Sequence, residues 1–269
     1  MDKKDKNFYI TTPIYYVNDV PHIGHAYTTI ICDTIANFNK WLGKDVNFLT
    51  GTDEHGQKVE KSALAAGINP QEFTDKVSRS FLDLTKKLEV NNNDFIRTTE
   101  LRHKNAVESL WKKLEETGDI YIDKYSGWYS IRDEAFYSSD EITEKSNGKN
   151  IAPNGSEVEW LEEPSYFFKL SSWQDKLLKF YKANPDFVSP KTRYNEVLSF
   201  VNKGLEDLSI SRTTFKWGIP VPSNEKHIIY VWLDALTNYL SGVDYPNTDS
   251  NNWKKYWPAN IHVVGKDIL

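Results

Sequence analysis

The amino-terminal part of the chain alternates short apolar runs with longer segments in which apolar residues recur every three or four positions. The short runs are rich in β-branched and aromatic residues, which predicts strands, and the longer segments predict amphipathic helices. The predicted strands cover residues 8–16, 46–50 and 95–98. The predicted helices cover residues 26–42, 57–66, 70–88 and 100–116. Strands and helices in this alternation predict a parallel sheet with right-handed crossovers.

The pattern changes near Gly118. Residues 120–137 alternate apolar and polar positions, which is typical of half-exposed antiparallel strands. Further strands are predicted at 158–160 and 166–170 and helices at 173–182 and 194–205. Residues 228–234 and 261–264 again predict buried strands, as expected of a parallel sheet. We therefore expect an α+β unit over 118–205 that is inserted into an α/β unit formed by 1–117 and 206–269.

Composition and charge narrow the class of protein. The formal net charge of −5 gives no general attraction for nucleic acid, so an RNA partner would need a local basic patch or a site outside this chain. Cys32 is the only cysteine, which excludes an internal disulfide and any Cys/His cluster with zinc spacing. No apolar run reaches the roughly 20 residues of a membrane span, and the charged N-terminus lacks a signal-peptide core. We expect a cytoplasmic protein.

The first candidate site is the segment PHIGH at residues 21–25, where the first predicted strand gives way to a helix. Ligands of open α/β sheets bind at such strand ends, and the free amides of a helix start suit phosphate. His22 and His25 could donate hydrogen bonds to phosphate oxygens, and Gly24 would let a planar ligand approach the backbone. By itself, the motif is equally well explained as a helix cap with two incidental histidines.

Two more segments follow predicted strands, residues 52–56 (TDEHG) and 264–267 (VGKD). A third, residues 230–239 (YVWLDALTNY), places Trp232, Ala235 or Leu236, and Tyr239 on one helical face. A carboxylate after a strand, such as Asp53, could bind an amine or a ribose. Each segment also has a plain interpretation: a helix cap with Glu54 and His55 as solvated loop residues, a core helix face, and a turn. Because all of them fall at predicted carboxyl ends of one sheet, together they favour a ligand site.

The chain resembles the bacterial and organellar methionyl-tRNA synthetase family, which belongs to the class I aminoacyl-tRNA synthetases. The resemblance extends over essentially the whole chain. HIGH is common to all of class I, whereas TPIYY, GTDEHG and YVWLDAL combined with SISR are specific to the methionine enzymes. The matching segments are TTPIYYVNDVPHIGHAY, VNFLTGTDEHGQKVEKSA, VEWLEEPSYFFKLS, SISRTTFKWGIPVP, YVWLDALTNYL and HVVGKDIL.

The resemblance implies roles for individual residues on the nucleotide side of a site. His22 and His25 match the histidines that contact ATP phosphates and stabilise the transition state, and Gly24 matches the glycine against which adenine lies. Arg212 matches a catalytic arginine near the phosphates. The implied ribose-binding loop contains Gly265 and Asp267.

On the amino-acid side, Asp53 matches the carboxylate that holds the methionine ammonium group, with help from the backbone carbonyl of Ile14. An aromatic-lined pocket suits an unbranched, polarizable thioether. Leu236 stands where other members of the family carry proline. The implied wall of the side-chain pocket consists of Tyr16, Trp232, Ala235, Leu236 and Tyr239.

The implied fold is α/β, a Rossmann-type (HUP-like) parallel sheet split by an α+β connective-peptide insertion and truncated at the C-terminus. Residues 1–117 would form the first half of the catalytic domain, 118–205 the insertion and 206–269 the start of the second half. The KMSKS lysine loop and the anticodon-binding domain would lie beyond Leu269. We therefore expect this chain to be weakly active or inactive by itself.

The implied reaction activates L-methionine with ATP and Mg²⁺ to methionyl-adenylate and transfers it to tRNA(Met) for protein synthesis, in a monomer or a homodimer. Many members carry zinc-binding cysteines near the GWY segment, whereas residues 126–130 (SGWYS) contain none, so we expect no structural zinc. One alternative is a class I synthetase of the Ile/Leu/Val group, whose larger editing insertion would not fit in 118–205. The other is a non-catalytic, amino-acid-binding fragment, against which the intact His22, His25 and Asp53 weigh.

Overall fold

The computed structural model describes residues 6–133, 135–144 and 148–265. The strands are β1 (Asn7–Thr11), β2 (Tyr15–Tyr16), β3 (Asp45–Asp53), β4 (Asp94–Arg97), β5 (Ile120–Ser130), β6 (Ala135–Tyr137), β7 (Thr143–Glu144), β8 (Asn150–Ile151), β9 (Glu157–Phe168), β10 (Leu208–Ser209), β11 (Ser211–Arg212), β12 (Pro220–Val221), β13 (Asn224–Ile229) and β14 (Ile261–His262). The helices are α1 (Ile23–Trp41), α2 (Gln57–Ala65), α3 (Pro70–Lys87), α4 (Leu101–Glu116), α5 (Gln174–Ala183), α6 (Lys191–Asn202), α7 (Val231–Leu236), α8 (Asn238–Ser241) and α9 (Asn251–Tyr256).

The first sheet is parallel, as the alternating pattern predicts. It has the order β14-β1-β3, with β2 continuing the β1 edge of β3 and β4 on the other edge. Gly51 lies in the middle strand, where an added Cβ would come within 2.0 Å of the Ile96 carbonyl oxygen on β4. Only glycine therefore permits this close pairing. The carboxyl ends of β1, β3 and β14 meet at one edge.

Helix α1 packs on this sheet through small and polar residues rather than through its largest ones. Cys32 and Ala36 are fully buried against Phe8, Ile10 and Phe48. Ile30, Phe38 and Trp41, whose spacing contributes to the helix prediction, are exposed. The apolar periodicity thus gives the helix correctly but not the face that packs, because small side chains let the helix approach the strands closely.

The region of alternating polarity forms an antiparallel sheet, as predicted. β5 and β9 pair along almost their whole length, from Ile120 opposite Phe168 to Tyr129 opposite Glu159. Strands β6, β8, β7 and β10 extend this sheet, and helices α5 and α6 follow β9 along the chain. The division of the chain into three parts at 118 and 206 stays a prediction.

Only the first two residues of the predicted buried strand at 228–234, Ile228 and Ile229, belong to a strand. β13 ends at Ile229 and pairs with β11 and β12 in a separate antiparallel sheet. Helix α7 then begins at Val231, and the amide of Asp234 donates to the carbonyl of Tyr230 at 3.2 Å. An apolar, aromatic run does not by itself distinguish a strand from a buried helix turn. Among the described residues, no helix is long and apolar enough to cross a membrane.

Candidate functional site

The turn into α1 is closed by the two histidines themselves. His22 is the N-cap residue, and its Nδ1 accepts from the Gly24 amide at 3.1 Å. The Nδ1 of His25 accepts from the His22 amide at 3.1 Å, and the two rings stack with centroids 3.8 Å apart. Because both Nδ1 atoms accept, each neutral ring carries its proton on Nε2. Each Nε2 is then free of the cap and available as a donor.

The two rings differ in their surroundings. His22 is exposed, whereas His25 is half-buried against Tyr15 and Phe81, with ring centroids 4.8 and 5.1 Å away. Burial, and then the neighbouring His22, lower the pKa of His25 to about 4. His25 is therefore a neutral donor at pH 7. An added Cβ on Gly24 would come within 2.9 Å of the His22 ring, so a side chain here would displace that ring from its capping position.

A cavity of about 290 Å³ lies at the carboxyl edge of the parallel sheet, close to the lower end of the usual range for ligand pockets. All of the residues that the sequence assigns to a methionine pocket line it: Ile14, Tyr16, Asp53, Trp232, Ala235, Leu236 and Tyr239. The structure adds Pro13, Lys58, Arg132, Asp133, Val231 and Asn238 to this lining. Residues far apart in sequence thus converge on one concave, largely apolar site.

Asp53 is the last residue of β3 rather than part of the loop that the sequence suggests. It pairs with Tyr16 of β2, and its carbonyl accepts from the Val17 amide at 3.1 Å. The side chain is largely buried and lies in the cavity lining. A rigid strand end therefore presents this carboxylate.

Glu54 and His55 are buried, which corrects their interpretation as solvated loop residues. The carboxylate of Glu54 accepts from Arg97 Nε at 2.7 Å, Arg97 Nη2 at 2.9 Å and Thr99 Oγ1 at 2.5 Å. The Glu54 carbonyl also accepts from the indole N–H of Trp217 at 2.6 Å. The segment after Asp53 is thus held to β4 by a buried, bidentate ion pair, the strong form of charge-assisted hydrogen bond.

None of the described residues assigned to the nucleotide side belongs to the cavity lining: His22, Gly24, His25, Arg212 and Gly265 all lie outside it. Arg212 is buried, donates from Nη1 to the Ser211 carbonyl at 2.6 Å, and stacks 4.1 Å from the Tyr230 ring, just before α7. Gly265 is exposed, after β14. Asp267 lies outside the described residues.

His262 is a residue of the site that the sequence analysis does not identify. Its ring centroid lies 4.5 Å from that of Tyr239, and its Nδ1 is 2.8 Å from Thr11 Oγ1. It is the last residue of β14, so the rule that ligands bind at carboxyl ends of strands could have identified it.

The antiparallel sheet also contributes to the cavity, through the turn after β5. Asp133 accepts from Ser130 Oγ at 2.7 Å, from Tyr137 OH at 3.1 Å and from Ser156 Oγ. Burial opposes ionisation of Asp133, but these hydrogen bonds and one from Asn154 together outweigh it and lower the pKa of Asp133 to about 2. A hydrogen-bonded carboxylate therefore fixes this turn, with Arg132 beside it at the rim.

Comparison with known proteins gives the family of this chain. Residues 8–269 match the family described as tRNA synthetases class I (M). The methionine–tRNA ligase of Rickettsia typhi is 64% identical over 97% of this chain, and that of Mesorhizobium japonicum is 54% identical over 98%. In both comparisons the chain covers 51% of the relative. The chain therefore spans about half the length of the curated relatives that it matches.

Solved structures give the same result. Mycobacterium tuberculosis methionyl-tRNA synthetase bound by methionyl-adenylate superposes with a TM-score of 0.94 at 50% identity, covering 98% of this chain and 52% of the other. The apo form of the same enzyme superposes with a TM-score of 0.83 at 47% identity, covering 98% of this chain and 50% of the other.

Proposed function

The chain belongs to the class I tRNA synthetase family whose methionine type it matches over 8–269, and from that premise we propose that its protein is a methionine–tRNA ligase. The observation that carries the proposal is the convergence of Asp53 with an aromatic wall in one cavity at the sheet edge. A carboxylate beside apolar rings is complementary to an amino acid with a positive ammonium group and an apolar side chain.

Methionine would enter this cavity with its ammonium group against Asp53 and the backbone carbonyl of Ile14. Its thioether would lie between Trp232, Tyr239 and Tyr16, because sulfur makes favourable contacts with aromatic rings. A single methylene changes binding by only ~1–3 kcal/mol in such a pocket. Discrimination against smaller or branched amino acids should therefore be modest.

The proposed reaction begins when a methionine carboxylate oxygen attacks the α-phosphorus of ATP. A new O–P bond forms, the bond from the α-phosphorus to the bridging oxygen breaks, and pyrophosphate leaves with that electron pair. This displacement needs no protein nucleophile. It needs two aligned reactants and donors aimed at the phosphate charge. The Nε2–H groups of His22 and His25 supply such donors, next to the amides at the start of α1.

ATP would enter as its Mg²⁺ complex, in which the ion neutralises phosphate charge. Among the described residues, no group of three or more His, Cys, Asp or Glu is placed to hold a metal ion. Arg212 remains assigned to the phosphates by resemblance, and its stacking on Tyr230 supports an additional role in fixing the start of α7.

The second step of the proposal transfers the methionyl group to the 3′ end of tRNA(Met), and we place it in the cytoplasm. The test is ATP–pyrophosphate exchange by the full-length protein with each of the twenty amino acids. We expect exchange that depends on methionine. Exchange with leucine or valine but not methionine would instead indicate the Ile/Leu/Val group. Methionine binding with no exchange would indicate a non-catalytic binding protein.

A further inference from the structure

Behind the cavity lies a cluster of titratable residues that the proposed chemistry does not use. Asp234 of α7 is fully buried, and its carboxylate oxygens lie 2.6 Å from His55 Nδ1 and 2.7 Å from His103 Nε2. The other nitrogen of His103 lies 3.0 Å from Ser241 Oγ on α8. Both imidazoles are also buried. We refer to His55, Asp234 and His103 as the buried triad.

Burying the Asp234 carboxylate costs free energy, which its hydrogen bonds to His55 and His103 offset. Burial alone would raise the pKa of Asp234, but the two histidines lower it to about 2, so the carboxylate stays ionised at neutral pH. A buried charge of this kind is stable only while its partners remain in place. Apolar residues of similar volume would often stabilise a core at least as well. What the triad adds is a fixed geometry, since each oxygen of one carboxylate is bound to a different element.

The elements that it joins are the two sides of the amino-acid site. His55 follows Asp53 by two residues, and Asp234 lies between Trp232 and Ala235 on α7. His103 belongs to α4, outside the cavity lining. The bonded pairs are 179 and 131 residues apart in sequence, with the whole insertion between them. The triad therefore connects the carboxylate expected to hold the ammonium group to the wall expected to hold the side chain.

We propose that the buried triad of His55, Asp234 and His103 is a positioning unit that sets the spacing between Asp53 and the α7 wall and so determines the affinity for the amino acid. This inference rests on the proposed function for the identity of the amino acid. None of the three residues lines the cavity, so they act through Asp53, Trp232 and Ala235.

The test measures KM for methionine and for ATP in pyrophosphate exchange by the full-length protein. His55→Ala and His103→Ala should raise KM for methionine about 10-fold, with KM for ATP changed less than about 2-fold. His55→Asn and His103→Gln keep an N–H close to the positions of Nδ1 and Nε2, so they should restore KM to within about 3-fold. Asp234→Asn should resemble the alanine variants, because it exchanges an acceptor oxygen for a donor.

Asp94→Asn is the matched control. It removes a carboxylate that forms a bidentate pair with Arg102 on α4, the same helix that carries His103, but it does not contact α7. It should leave both KM values unchanged. An unchanged KM for methionine in folded alanine variants would overturn the inference. Conservative variants whose KM for methionine rises as much as that of the alanine variants would also overturn it. So would a loss of pyrophosphate exchange that only follows the fraction of folded protein.

Hydrogen exchange in the ligand-free protein tests the geometry independently of the reaction. The alanine variants should raise exchange at 53–56 and 231–241 together, and the conservative variants should not. If neither segment responds, the inference is wrong even where methionine is the substrate. If pyrophosphate exchange by the wild-type protein depends on another amino acid, the proposed function is wrong. The triad is then tested by hydrogen exchange in these two segments and by KM for that amino acid.

Discussion

The two sides of the candidate site are built in different ways. On the amino-acid side, Asp53 ends a central strand, and the two residues after it are buried, with Glu54 bonded to Arg97 of β4 and His55 to Asp234 of α7. On the nucleotide side, His22 and His25 cap a helix with their own rings, and His22 is exposed. The side that would recognise a small side chain is thus fixed from behind by buried contacts. The side that would meet a hydrated triphosphate presents donors at the surface.

The largest effect should come from a substitution on the amino-acid side. Asp53→Ala should lower methionine-dependent exchange about 10³-fold, because a desolvated ammonium group that loses its partner costs about 4 kcal/mol. The loss should appear mainly in KM for methionine, measured by pyrophosphate exchange with the full-length protein. Asp175→Ala, which removes an exposed carboxylate on α5, is the control and should have no effect. An Asp53→Ala protein with normal KM for methionine would separate this residue from the amino acid.

Substitutions on the nucleotide side should instead lower kcat. His22→Asn keeps a good N-cap acceptor but removes the Nε2 donor, so it tests the donor separately from the helix cap. We expect kcat to fall about 10²–10³-fold, the usual cost of about 2.7–4 kcal/mol for one such donor, with KM for methionine unchanged. Full activity in this variant would show that the histidine serves only as a cap.

The pKa of His25 provides a smaller, pH-dependent test of the same side. Its folded pKa of about 4 lies below the unfolded value of about 6.5, so between these values the unfolded state binds more protons. The contribution of His25 to stability is therefore complete above pH 6.5 and is lost as pH falls toward 4. After allowance for solvent screening, we expect about 1 kcal/mol.

NMR titration of labelled histidines measures this pKa directly, and the signal that disappears in His25→Asn identifies the ring. The melting temperature should also fall less between pH 7 and pH 5 in His25→Asn than in the wild type. A midpoint near 6.5 would mean that the packing against Tyr15 and Phe81 does not exclude water from the ring.

The same contrast explains what the sequence could predict. The family resemblance assigns Asp53 and Trp232 to one pocket, and both line one cavity in the structure. The alternation of strands and helices predicts the parallel sheet. The buried hydrogen bonds of Glu54 and His55, which hold this side of the site in place, could not be predicted from local patterns. Glu54 and His55 look like solvated loop residues, because their partners lie far away in sequence and polarity patterns carry no information about long-range pairing.

Errors in the elements have a similar origin. The faces of α1 were not predictable, because Cys32 and Ala36 bury where larger apolar residues remain exposed. The turn from Ile229 into α7 was missed, because an apolar run fits a strand as well as a buried helix. In both places, tertiary contacts decide what local pattern leaves open.

The smallest expected effect concerns the turn after β5, which contributes Asp133 to the amino-acid side. Ser130, Tyr137 and Ser156 all donate to Asp133, so hydrogen bonds hold this turn, near which we expect no structural zinc. A zinc-selective chelator should leave the melting temperature of the full-length protein unchanged. Asp133→Asn should lower it slightly, because an amide accepts fewer hydrogen bonds than a carboxylate. A loss of structure with chelator that added zinc restores would mean that a metal, and not this carboxylate, fixes the rim of the amino-acid side.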